Sequence, residues 1–404
     1  MALSFLPKLL AQKTFNISPS ELYKKFDKLA AENSQWCQEA QNYLFSLLQY
    51  QHQIDASDLD LGGPGCGGKI WYRVYGTKSP APEFGKIDEL ESAFVVLSIL
   101  NKQQKERFYK NKSLDFSFSI KLHDEDTKET RFRGTIYLEQ SSLAANFRKI
   151  NTFVFPIESL GFAEPIVKRL NLQYEKFGLT LVTGLTGSGK STTLDSIIDM
   201  NNHSNNGHIV IVGNPIEYIH TSEKCIVRHR EVGTDVISFQ KGIIESLRQD
   251  PDIVVIGEIR DADEIATLLE ITDSGHKTFS TLHTNSAIDS LNRIIAEFPP
   301  REQDRIRIRL AETLSIVISQ KLVPGLDGKL VLAKEILAVD SSVRAAIINK
   351  NIGEIYQMIT EGSKKGMITM EQDLANLLNR RKISLEAALN YANNKKRLKQ
   401  LISR

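Results

Sequence analysis

The chain has 404 residues, enough for two or three domains with a full core in each. At 41% hydrophobic and 25% charged residues, with a mean hydropathy of -0.24, it reads as neither membrane-embedded nor disordered. A balance of 51 basic against 49 acidic residues offers no global field for nucleic acid, and Cys37, Cys66 and Cys225 are too scattered for a disulfide framework or a zinc knuckle. A reducing, cytoplasmic setting is expected. The opening MALSFLPKLLAQKTF lacks the features of a secretory signal, and no stretch approaches the roughly 20 apolar residues that span a bilayer.

Residues 1–53 are expected to form a helical N-terminal extension. Leu22, Phe26 and Leu29, then Tyr43, Leu44, Leu47 and Leu48, recur at helical spacing after Ser18-Pro-Ser-Glu21, which has the form of a capping box. Residues 54–150 switch to short alternating runs, KIWYRVYG, LDFSFSIKL and RFRGTIYLE, and predict antiparallel strands in a compact α+β domain. Residues 151–161, NTFVFPIESLG, read as an interdomain hinge linker. Residues 162–300 alternate continuous apolar runs (LTLVTG, HIVIVG, DIVVIG, KTFSTLH) with helical segments, the pattern of a parallel sheet buried on both faces. Residues 301–404 are expected to be helical, with Ile306, Leu310, Leu314 and Val317 on one stripe.

The strongest signal is G-x-x-x-x-G-K-S, formed by Gly184, Leu185, Thr186, Gly187, Ser188, Gly189, Lys190 and Ser191 and followed by Thr192. It lies between an apolar strand and a helical segment. Backbone N–H groups of such a loop cradle phosphates at a helix N-terminus, the lysine neutralises β and γ oxygens, and Ser191 offers a hydroxyl to Mg2+. Asp252-Ile-Val-Val-Ile-Gly-Glu258 is an apolar strand ended by an acid, so Glu258 is the metal-side candidate beside that loop. Glu217 follows the strand HIVIV in Asn214-Pro-Ile-Glu217. A carboxylate there lies on the ligand side of an open α/β sheet, placed to orient or deprotonate water, although a surface glutamate after a proline turn reads the same way. His276 and His283 flank one strand at an odd offset, which puts them on opposite faces and excludes a shared metal. Arg131 and Arg133 alternate with Phe132 and share a face. With Arg148 they are either solvated edge charges or arginine fingers for a nucleotide held elsewhere.

These motifs in this order are similar to those of the PilT-like retraction ATPases of type IV pili, within the wider secretion ATPase superfamily. The resemblance is carried by ASDLDL, GLTGSGKSTT, NPIEYIH, REVGTDVISFQKGIIESLRQDPDIVVIGEIRD, SGHKTFSTLHT and MITMEQDLANLL. It implies an α/β fold: a PAS-like α+β domain, then a RecA-like P-loop ATPase core, then a helical C-terminal region. It also implies ATP and Mg2+ as cofactors and a homo-hexameric ring at the inner face of the cytoplasmic membrane. The ring would engage an inner-membrane pilus platform protein, touching the membrane through partners only, with no nucleic acid. In the site it implies Glu217 as catalytic carboxylate, Glu258 beside the metal, His276 and His283 as nucleotide-sensing residues, and Arg131, Arg133 and Arg148 approaching the nucleotide. The absence of any cysteine after Cys225 favours the retraction branch over zinc-carrying extension and type II secretion ATPases. Secretion or conjugation ATPases remain the alternative. Three departures stand out: Asp60 and Ser280 replace a histidine and a glycine of the family without removing a catalytic group, and Gly213-Asn214-Pro215 stands where the family has Glu-Asp-Pro, which allows slowed hydrolysis or a weakly hydrolysing regulatory ring.

Overall fold

Alternating and continuous apolar runs sort the chain into two sheets of different kinds. The computed structural model describes residues 3–11, 17–74, 76–122, 129–150 and 153–403, so positions 151 and 152 of the expected linker lie outside the described residues. The chain gathers into two units, Met1–Thr152 and Phe153–Arg404.

In the first unit, β1 (Asp58–Gly62), β2 (Trp71–Val74), β3 (Thr77–Pro80), β4 (Ser113–Ile120), β5 (Thr130–Glu139) and β6 (Ser142–Lys149) form an antiparallel sheet in the order β3-β2-β1-β6-β5-β4. Alternation sends Leu59, Leu61, Tyr72, Phe132, Ile136 and Phe147 into one core. The helices Pro19–Glu32 and Ser34–Gln53 bury Phe26, Leu44, Leu47 and Leu48 in that same core. The described helices of residues 1–53 therefore share this unit's core and do not form a separate extension, which corrects the expected division. The capping box forms as read: Glu21 N–H donates to Ser18 Oγ at 3.3 Å, and Ser18 N–H to the Glu21 carboxylate at 3.0 Å.

In the second unit, β7 (Gly178–Thr183), β8 (Gly207–Gly213), β9 (Cys225–Glu231), β10 (Ile253–Ile256), β11 (Lys277–Leu282), β12 (Leu314–Pro324) and β13 (Leu330–Ala338) take the order β13-β12-β7-β11-β10-β8-β9. All pairings are parallel except that of β12 with β13. Every residue of β7, β10 and β11 is buried, as strands covered on both faces require.

Strands β12 and β13 correct the expectation that residues 301–404 are helical from the start. Helix Pro300–Thr313 carries Ile306 and Leu310, but Leu314 and Val317 lie on β12, whose Ile-Val-Ile run is β-branched and better suited to a pleated surface than to a helix. From Ser341 to Ile402 the regular elements are helices. The expected stripe failed because a 3.6-residue period was extended through a strand.

Glu335 of β13 is buried, and its carboxylate accepts the Ala287 N–H at 2.8 Å, at the start of helix Ala287–Ala296. Burial pushes its carboxyl from an ordinary 4.5 up to about 7, with Glu371 adding to the rise and the Ala287 and Met370 N–H groups opposing it. The folded state thus holds this proton more tightly than the unfolded chain. Its stabilising contribution is fully present below pH 4.5 and is lost as pH rises through 7. The loss amounts to roughly 3 kcal/mol. Glu335→Gln, neutral throughout, is expected to gain stability on the native chain between about pH 5 and about pH 8, read by thermal unfolding at both values. A pH-independent difference would show that Glu335 is not titrating there.

Candidate nucleotide-binding site

Strand β7 ends at Thr183, and the chain turns through Gly184–Gly189 into the helix Lys190–Ser204. Two constraints demand glycine at the loop's ends. Gly184 has φ +151°, and a Cβ there would stand 2.4 Å from Ser188 Oγ and 2.5 Å from the Gln320 carbonyl oxygen. Gly189 caps the helix at φ +83°, in the left-handed region. Leu185, Thr186, Gly187 and Ser191 are exposed, Thr192 is half-buried, and Ser188 and Lys190 are buried. The loop thus exposes Leu185, Thr186 and Gly187 over a buried lysine, at the N-terminus of a helix whose first N–H groups lack partners within that helix.

Lys190 Nζ donates to the carbonyls of Gly184 at 2.8 Å and Leu185 at 3.2 Å, and stands 3.5 Å from His283 Nδ1. His283 follows β11, and its Nε2 lies 3.2 Å from Glu258 Oε1. Glu258 follows β10, and its Oε2 accepts from Arg260 at 3.1 Å. Lys190, His283, Glu258 and Arg260 therefore form one line of alternating partners. Burial pulls the Lys190 ammonium below its ordinary pKa, opposed by the charges of Glu258 and Glu217. Burial and then the Lys190 charge lower His283, which favours its neutral imidazole.

Glu217 is half-buried in the turn after β8, close enough to act electrostatically on both Lys190 and Asp195. The turn is held from two sides. Ile216 N–H donates to the Glu231 carboxylate at 3.1 Å, and His220 Nε2 lies 3.1 Å from Asp195 Oδ1 on the helix that begins with Lys190. His220 N–H also donates to His229 Nε2 at 3.0 Å. Burial pushes the Asp195 carboxyl up, with His220 opposing.

The structure does not bring His276 to this site. In the parallel register of β11 with β7, Leu282 pairs with Thr183 at the phosphate-loop edge, and Lys277 pairs with Gly178 at the other. His276 precedes Lys277, so it stands a full strand, roughly 20 Å, from His283. Its Nδ1 lies 3.0 Å from Ser274 Oγ and 3.2 Å from the Ile271 carbonyl, closing the end of helix Ala262–Asp273. Within one chain His276 therefore stands apart from the phosphate-loop edge.

Arg131, Arg133 and Arg148 belong to the first unit and share one face of its sheet, Arg133 opposite Arg148. Each is engaged within that sheet: Arg148 Nε donates to the buried Asp58 at 2.9 Å, Arg133 lies 3.5 Å from Asp115, and Arg131 donates to Ser119 at 3.2 Å. Sequence reasoning missed Glu231, Asp195, His220 and Gln320. Gln320 carried a legible signal, a polar residue inside the apolar run Ile316-Val-Ile-Ser-Gln-Lys-Leu-Val323, once that run is taken as a strand.

The oxygen donors Ser191 and Glu258 suit a hard divalent cation. Among the described residues no cluster of three or more His, Cys, Asp or Glu side chains is arranged to hold a metal by itself. A cation would therefore complete its shell with phosphate and water oxygens, as Mg2+ does in such loops. No helix among the described residues is long and apolar enough to cross a membrane.

A family model described as type II/IV secretion system protein matches residues 135–396. The chain belongs to that family. It is 36% identical over 294 residues to the type IV pilus retractation ATPase PilT of Pseudomonas aeruginosa, covering 73% of this chain and 83% of the relative. It is 36% identical over 301 residues to the twitching motility protein of Neisseria gonorrhoeae, covering 74% and 78%. Among solved structures, that of the pilus retraction motor PilT with bound ADP superposes with a TM-score of 0.77 at 32% identity, covering 88% of this chain and 98% of that one. This secretion-family chain is a nucleotide-binding P-loop ATPase. Lys190→Ala should abolish its turnover, because the variant withdraws the cation that stabilises charge on the transferred phosphoryl group. Steady-state phosphate release checks this, and normal activity in a folded variant would remove Lys190 from the site.

Proposed function

We propose that this ATPase is the homo-hexameric motor of type IV pilus retraction. The observation that supports this reading best is the line Lys190–His283–Glu258 beside the Glu217 turn, in a chain that resembles a pilus retraction motor along nearly its whole length.

In the proposed reaction, the loop N–H groups and Lys190 hold the β- and γ-phosphates of ATP and oppose the charge that builds on them. Ser191 and Glu258 would hold Mg2+, which when bound neutralises phosphate charge. Glu217 orients the attacking water and accepts its proton. His283, neutral and in contact with both Lys190 and Glu258, reports which of them the nucleotide has engaged. Arg131, Arg133 and Arg148 of one copy supply charge to the nucleotide of a neighbouring copy, so that binding and release change how subunits engage. The segment 151–161 serves as the hinge for that change. Force passes to an inner-membrane platform protein at the cytoplasmic face, and the motor meets the membrane only through that partner.

Two measurements test the chemistry. Glu217→Gln should retain ATP binding but lower kcat by roughly 100-fold or more, the usual contribution of a general base. A native kcat would reduce Glu217 to a turn residue. Arg133→Ala or Arg148→Ala should cut turnover, by up to the 10³-fold or more of an arginine finger, and native activity should rise with protein concentration as copies assemble. Activity independent of concentration in a proven monomer would refute the shared site. For the biological role, a deletion strain should carry excess pili that do not retract, whereas loss of pili would refute the direction proposed.

A further inference from the structure

Gln320 lies on β12, the strand beside β7, and is only 2% exposed. Its Nε2 donates to the Ser188 carbonyl at 2.8 Å. Its own backbone carbonyl packs against the opposite end of the phosphate loop, where a Cβ on Gly184 would be only 2.5 Å away, and a Cβ on Gly189 would come within 3.3 Å of Nε2. A single residue therefore contacts the loop where it leaves β7 and where it enters the helix. Neighbouring contacts reinforce the join: Ser319 Oγ and Thr183 Oγ1 are 2.8 Å apart, at the last residue of β7.

Peptide planarity gives this contact a chemical consequence. In a trans peptide the C=O and the following N–H point in opposite directions. Fixing the Ser188 carbonyl toward Gln320 aims the Gly189 N–H the other way, away from the Gln320 side chain. Two further atoms at the join, Ser188 Oγ and Gln320 Oε1, are buried without a hydrogen-bond partner among the described residues. Buried polar atoms left unpaired are costly, so the Nε2 bond to the Ser188 carbonyl is the side-chain hydrogen bond through which Gln320 holds the loop. We propose that Gln320 is a positioning residue for phosphoryl transfer, its side-chain amide setting the Ser188–Gly189 peptide so that the Gly189 N–H faces the nucleotide's β-phosphate. The inference rests on the ATPase reading of the loop, and its role is exerted through the peptide without contact to the reacting atoms.

The full-length chain carrying Gln320→Met keeps length and apolar volume but loses the donor. Bound ADP should then show a displaced β-phosphate ³¹P resonance. In turnover, kcat should fall about tenfold, less than the 10²–10³-fold of deleting a direct donor, while KM for ATP changes less than threefold. Gln320→Leu, which also lacks the donor, should reproduce the shift, and it serves as the readout where the methionine variant does not fold. Gln320→Asn, which keeps the amide on a shorter arm, should recover part of the native resonance and rate. A native β-phosphate resonance in a folded donor-less variant would overturn the proposal, as would a fall in thermal stability with native kcat and KM. The ³¹P measurement needs no hydrolysis. A wild-type chain that binds ADP but does not turn over would therefore refute the ATPase reading, while the resonance still decides the role of Gln320.

Discussion

The site depends on one constraint, that β12, β7, β11, β10, β8 and β9 all run in the same direction. Parallel strands deliver the segments that follow them to a single edge of the sheet. At that edge β7 releases the phosphate loop, β8 the Glu217 turn, β9 Glu231, β10 Glu258 and β11 His283. Lys190 and His283, 93 positions apart in sequence, meet because their strands end together, and the helix N-terminus of the phosphate loop faces the same way. The antiparallel hairpin of β12 and β13 closes the opposite flank, bringing Gln320 against the loop.

Electrostatics explains why these side chains form a line and not a scatter of independent ions. Lys190 is buried and loses solvation, which its contacts with two loop carbonyls replace only in part. Glu258 and Glu217 restore some of that loss at a distance. A protonated His283 between Lys190 and Glu258 would place two cations together, so burial and the ammonium both favour the neutral ring. A neutral imidazole both donates and accepts, and can bridge an ammonium and a carboxylate. The same balance answers part of the question raised by Gly213-Asn214. The chain lacks the expected acidic pair there, yet β9 places Glu231 opposite Gly213 and against the Ile216 N–H, so an acidic group borders the turn from the neighbouring strand.

Much of this was legible in the sequence where one local pattern decided the outcome. The phosphate loop, four of the parallel strands, the Ser18–Glu21 capping box and the antiparallel character of residues 54–150 each follow from short-range spacing. Glu258 stands out as an acid that ends an apolar strand, whereas His283 is one of two histidines flanking a strand and is tied to the nucleotide by the family resemblance. The failures have a common physical cause, since they depended on register or on packing between distant segments. His276 and His283 flank one strand and look equivalent in sequence, but a parallel strand has a ligand edge and a far edge, and only one histidine can stand at each. Residues 1–53 looked like an appendage because helical periodicity shows that a face is apolar without showing what covers it.

The β12 misreading shows how such an error spreads. Leu314 and Val317 continue the spacing of Ile306 and Leu310, so the sequence favours extending the helix, and nothing local outweighs that except the β-branched run. Taking the run as helix removes Gln320 from the neighbourhood of the phosphate loop and leaves the loop flanked on one side only. In the fold, β7 is a central strand with β11 on one side and β12 on the other, and the loop leaving it is gripped by residues of both neighbours, His283 through Lys190 and Gln320 through Ser188. A loop whose glycines lack side chains of their own takes its shape from the strands beside it. The motif therefore supplies the groups that touch phosphate, and the flanking strands determine where those groups point.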